Sequence, residues 1–144
     1  ALDGLKEIRV FNIKDQFYGR LEKLTANITA RTSCKVTLHD LSDESALYDS
    51  IETSDILTNG TSVGMAPNTD ACLIKNTDVF RKELIVSDVI YNPEQTKLLK
   101  LASEKGCSTF NGLYMLLYQG AAAFKIWTGK DMPVDIIKEK YFTR

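Results

Sequence analysis

This sequence predicts an α/β fold, a doubly wound and mostly parallel sheet, and three observations carry that expectation. Short strand-like runs alternate with helix-like ones, the order that threads parallel strands through helical crossovers. Residues 84–91, LIVSDVIY, are nearly all apolar in their first half, as in a strand buried on both faces. Four polar loops, NIKD, NGTSVG, DVIYNP and FNGLYM, fall at the expected carboxyl ends of strands. In such sheets ligands gather there.

The elements follow in order. Gly4, in LDGLK, suits the end of a helix already under way. EIRVFN reads as a strand rich in Ile, Val and Phe, and a helix is expected over 16–29, where Phe17, Leu21, Leu24 and Ile28 recur three or four apart. KVTLHDL is a second strand and SDESALYDSIE a second helix, with Ser42 as its N-cap. DILTN is a third strand, and LIVSDVIY a fourth. PEQTKLLKLASEKG carries proline near the start and glycine past the end of a helix. After a short segment near Cys107, a long apolar helix is expected over 112–128 and an amphipathic one over 133–141. Leu113, Leu116, Leu117, Gly120, Phe124 and Trp127 form the core-facing stripe of the long helix.

Composition excludes several classes of function. The 144 residues have one domain's length. A formal net charge of −1, without blocks of like charge, gives no electrostatic footprint for nucleic acid or a membrane surface. The longest apolar run, LYMLLYQGAAAF, is too short to span a bilayer. Three scattered cysteines, with no C-x-x-C pair, fit a reducing cytoplasm and read as small buried hydrophobes. With His39 the only histidine, neither a multi-histidine metal site nor most Ser-His-Asp chemistry is expected, and no residue is assigned to a metal. There is no G-x-G-x-x-G and no P-loop. A dinucleotide fold needs a strand and a glycine-rich turn, and both are expected upstream of Ala1.

Four stretches together resemble the carboxyl-terminal, cofactor-binding domain of the shikimate dehydrogenase family, most nearly its quinate/shikimate dehydrogenase branch. They are GLKEIRVFN-x-x-D, DILTNGTSVGM, D-V-I-Y-N-P-x-x-T-x-L-L and NGLYMLLYQGAAAFKIWTGK, in the family's order and spacing. The resemblance implies a Rossmann-like domain over 1–144, incomplete at its amino-terminal end. It also implies reversible, NAD- or NADP-dependent oxidation of shikimate to 3-dehydroshikimate, or of quinate to 3-dehydroquinate. The family's catalytic lysine and aspartate belong to an amino-terminal substrate domain. No catalytic residue is therefore expected in this chain, and the chain alone is expected to be inactive. That domain and the small-molecule substrate are the implied partners, with a homodimer left open.

Several residues then acquire roles from the resemblance. Asp15 stands where an acid accepts hydrogen bonds from the adenine ribose hydroxyls and repels a 2′-phosphate; aspartate equally suits a helix N-cap. Asn12, Ile13 and Lys14 line the same pocket. Members preferring NADP usually carry arginine where Ile13 stands, so NAD is the expected cofactor, with Lys14 as a possible phosphate contact. Asn59, Gly60, Thr61 and Ser62 match the loop beside the nicotinamide ribose, although Asn-Gly alone is a common turn. Val89, Gly112 and Met115 are placed against the nicotinamide, and Tyr91 and Gln119 at the substrate. The plainer readings are a half-buried Tyr91, a core-filling Met115 and a Gln119 satisfied by backbone. Tyr114 departs from the family, which commonly has glycine there. The other reading of the chain is a non-catalytic module that senses a nucleotide or docks a protein.

Overall fold

The computed structural model describes residues 4–16 and 18–142. The helix tail expected before Gly4, and Phe17 of the first helical repeat, lie outside the described residues. The chain divides into two compact units, Ala1–Ser54 and Asp55–Arg144.

In the first unit, strand β1 (Glu7–Asn12) and strand β2 (Lys35–Asp40) pair in parallel, from Glu7 opposite Lys35 to Asn12 opposite Asp40. Parallel neighbours need a crossover, and helix α1 (Tyr18–Arg31) supplies it. The helix ends at Arg31, two residues beyond the expected Thr29. Thr29 fastens it to β2, its hydroxyl accepting from the N–H of Val36 at 3.2 Å. Helix α2 (Glu44–Glu52) buries Leu47 and Ile51, four residues apart on one face. Its N-cap is Asp43, not Ser42, because Asp43 accepts from the N–H of Ala46 at 3.0 Å. Ser42 is engaged elsewhere: both its N–H and its hydroxyl donate to Oδ1 of Asp40. Arg9 of β1 reaches α2's end, donating to the Thr53 hydroxyl at 2.6 Å and to the Ser50 carbonyl.

In the second unit, β3 (Ile56–Asn59), β4 (Ile85–Asp88) and β5 (Ser108–Phe110) form a parallel sheet in that order, with β4 central. Its position explains its apolar sequence: Leu84 and Val86 have no exposed surface. The strand is shorter than expected because the N–H of Ile90 turns to Oδ1 of Asp88, 3.0 Å away. Irregular chain and a single 3₁₀ turn at Thr77–Val79 carry β3 to β4. Helix α3 (Lys97–Glu104) returns β4 to β5 and buries Leu98, Leu99 and Ala102. Thr96 caps it, accepting from the N–H of Leu99.

Helix α4 (Leu113–Thr128) ends at Gly129, whose φ of +70° is the left-handed cap that glycine adopts without strain. Helix α5 (Val134–Tyr141) follows. The expected core stripe of α4 is not buried as a stripe: Leu117 is enclosed, whereas Trp127 is 81% exposed. Helical spacing fixes which residues share a face. What covers the face depends on its neighbours, and α4 packs chiefly on the short, charge-rich α5.

Candidate functional site

In the second unit, the carboxyl ends of β3 and β4 open onto a groove of about 400 Å³. One wall is the loop after β3, with Thr61, Ser62, Met65 and Ala66; the other is the segment after β4, Val89 to Asn92. Four residues singled out from sequence, Thr61, Ser62, Val89 and Tyr91, therefore line one surface. Tyr91 is half exposed there.

Behind the groove lies a buried polar network. Asp88, 2% exposed, ends the central strand. Its carboxylate accepts from both the Ile90 N–H and the Thr96 hydroxyl, at 3.0 and 2.8 Å. It also accepts from the side-chain amide of Asn59, whose Nδ2 stands 3.2 and 3.1 Å from the two oxygens. Asn59 is itself enclosed, and Nδ2 donates again to the Val63 carbonyl. Its Oδ1 accepts from both the N–H and the hydroxyl of Thr61. The Thr61 oxygen in turn accepts from the N–H of Val63. The strand ends in small hydrogen-bonding residues because they fold the loop upon itself and key it to Asp88. Among the described residues, no buried side-chain nitrogen or oxygen lacks a partner.

Two glycines of the site are there for opposite reasons. A Cβ on Gly112 would strike the Val89 carbonyl oxygen and lie 2.5 Å from its carbonyl carbon. The Gly112 N–H also donates to the Ile90 carbonyl at 3.0 Å, so α4 begins in direct contact with the groove's second wall. A Cβ on Gly60 would meet nothing within 4 Å, and its φ is not positive. Nothing inside the fold requires glycine at 60, which leaves room for close approach from outside.

Met115 and Gln119 are exposed on α4, one and two turns after Gly112, and neither lines the groove. Tyr114 packs toward α5, 5.7 Å from the Phe142 ring, with the Lys138 ammonium 5.4 Å from its centroid. The bulk of the departing tyrosine is thus accommodated against α5.

The first unit carries the other predicted cluster. Asn12 closes β1 opposite Asp40, and its carbonyl accepts from the Leu41 N–H. Ile13 is 62% exposed. Lys14 pairs with Asp40 Oδ2 at 3.6 Å and lies over the Tyr18 ring. Asp15 is exposed at the opening of α1, its carbonyl accepting from the Tyr18 N–H. Hydrogen bonds from the backbone and hydroxyl of Ser42 hold the Asp40 carboxyl below its usual range.

Other reactive groups are occupied in the fold. His39 stacks on Phe11 and shares a hydrogen bond with Thr37. Burial pushes the Cys72 and Cys107 thiols up, away from the thiolate form that nucleophilic chemistry needs. Among the described residues, no three metal-ligating side chains cluster, and no helix is long and apolar enough to cross a membrane.

The residues that sequence reasoning missed are Asp88, left without a role, and Met65, Ala66, Ile90 and Asn92 of the groove. An acid ending an otherwise apolar, doubly buried strand was the available signal for Asp88.

Residues 112–140 match the family model described as Shikimate 5′-dehydrogenase C-terminal domain. A shikimate dehydrogenase (NADP(+)) of Listeria monocytogenes serotype 4b is 53% identical over 142 residues, 99% of this chain and 49% of that protein. The chain thus spans about half the length of the curated relatives it matches. The crystal structure of a Listeria monocytogenes shikimate 5-dehydrogenase with shikimate and NAD is 53% identical, with a TM-score of 0.88, covering 96% of this chain and 48% of that one. A Corynebacterium glutamicum quinate dehydrogenase with NAD is 27% identical, with a TM-score of 0.79, covering 96% of this chain and 47% of that one. By sequence and by fold, the chain is similar to shikimate dehydrogenases along the half of their length that it spans, and its residues 112–140 match the model of their C-terminal domain.

Proposed function

We propose that this chain is the dinucleotide-binding part of a cytoplasmic oxidoreductase that moves hydride between NAD or NADP and shikimate or quinate. The observation that supports this most is the groove at the carboxyl ends of β3 and β4, walled by the two loops that carry the resemblance. The similar Listeria monocytogenes structure was determined with shikimate and NAD, and the curated relative is named for NADP(+). The whole of 1–144 acts in this reading as one Rossmann-like cofactor domain. A preceding substrate domain completes the enzyme in this reading.

The nicotinamide supplies C4 as the hydride donor or acceptor. This chain's residues hold and orient it. Thr61 and Ser62 border the ribose from one wall, next to Gly60, where a close approach is unobstructed. Val89 offers its main chain from the other wall, with Gly112 packed behind it and Met115 following on α4. Tyr91 and Gln119 present polar groups to a polyol substrate. Asn59 serves inside the protein, setting the loop's shape through Asp88. Asn12, Ile13, Lys14 and Asp15 receive the adenosine end, with Asp15 accepting from the ribose hydroxyls. Proton transfer belongs to the lysine and aspartate of the substrate domain. Such positioning removes the cost of bringing reactants together, an effect worth several kcal/mol.

The test is an assay of the full-length polypeptide with shikimate or quinate and either dinucleotide, following reduced nicotinamide. Turnover with either polyol is expected. Dinucleotide binding with no turnover on either would favour a sensing module, and no binding at all would end the cofactor reading.

A further inference from the structure

We propose that Asp40 is a specificity-determining residue for the dinucleotide, neutralising Lys14 and disfavouring a 2′-phosphate at the adenosine end. This rests on the cofactor reading above and goes beyond the role given there to Asp15.

Within residues 12–15, Lys14 is the sole basic side chain and therefore the group a 2′-phosphate would seek. Its ammonium already faces a carboxylate, Asp40 Oδ2 at 3.6 Å. That carboxylate does not drift. Oδ1 accepts from the Ser42 N–H at 2.9 Å and the Ser42 hydroxyl at 2.8 Å, and the residue closes β2 in register with Asn12. The two Ser42 bonds also hold the carboxyl's pKa below its ordinary value. The Tyr18 ring, 5.9 Å from the Lys14 ammonium, flanks the lysine on α1.

A 2′-phosphate brings about two negative charges. To reach Lys14 it must displace or share a fixed carboxylate, whereas a ribose hydroxyl brings no charge to repel. The pair is at the surface, so the discrimination is a few-fold effect that salt diminishes.

The experiment measures dissociation constants of the full-length polypeptide for NAD, NADP, adenosine 2′-monophosphate and adenosine 5′-monophosphate. Asp40→Asn is expected to raise affinity for the 2′-phosphorylated ligand of each pair, relative to its partner, about threefold to fivefold at low salt. Adding Lys14→Met should cancel that gain, because the freed lysine is what the phosphate meets. Equal changes for both members of each pair, or no change in the ratio, would overturn the proposal and leave the cofactor reading standing. Wild-type protein that binds none of the four ligands would overturn both.

Discussion

Asn59 and Asp88 meet in parallel register at the ends of β3 and β4, with the amide nitrogen of one about equally far from both carboxylate oxygens of the other. Both are buried, and each holds a different wall of the groove. Asp88→Ala strands the Ile90 N–H, the Thr96 hydroxyl and the Asn59 amide at once. A loss of about 3 kcal/mol or more is expected in urea unfolding. Thr96→Val, which removes one of those bonds and the α3 cap, should cost about 1–2 kcal/mol.

The contrast between Gly112 and Gly60 gives a paired test. Gly112→Ala drives a methyl into the Val89 main chain and should destabilise by about 2 kcal/mol through overpacking. Gly60→Ala meets open space, so its unfolding midpoint should match wild type. Dinucleotide affinity should nevertheless fall several-fold, and unchanged affinity would remove Gly60 from the site.

Asp15→Ala should raise the apparent KM for NAD by roughly tenfold, the worth of hydrogen bonds to a charged acceptor, and that for shikimate far less. Gln119→Ala should do the reverse. Steady-state kinetics on the full-length enzyme separate the two, and equal shifts in both constants would sink the ribose assignment of Asp15.

Glu7 accepts from Lys35 and Arg9, which lower its pKa from an ordinary value of 4.5. With the folded value depressed, its contribution is fully present above about pH 4.5 and is lost as pH falls through the folded value. Glu7→Gln should therefore unfold more easily than wild type at neutral pH, with the gap closing in acid. A gap independent of pH would assign the effect to packing.

The architecture was legible because the apolar start of residues 84–91 and the alternation of elements are properties of local sequence. The failures have physical causes too. Ser42 and Asp43 are both good caps, and only the position of Asp40 decides which one is free to serve. Trp127 keeps helical spacing with Leu117, yet spacing carries no information about what lies opposite. The resemblance picked out Thr61, Ser62, Val89 and Tyr91, which do share a groove. Asp88 was left without a role because its cross-strand partner, Asn59, is 29 residues away in sequence.

The carboxylate behind the groove is held by the α3 cap residue Thr96 and is tied to both walls, through the Ile90 N–H and the Asn59 amide. Opening of this region is consequently one event and not three. The amides of Thr61, Val63, Ile90 and Leu99 all depend on that chain of bonds, and they should exchange with solvent at a common free energy. A ligand that steadies the Asn59 loop would then protect the first turn of α3, a helix end it never touches.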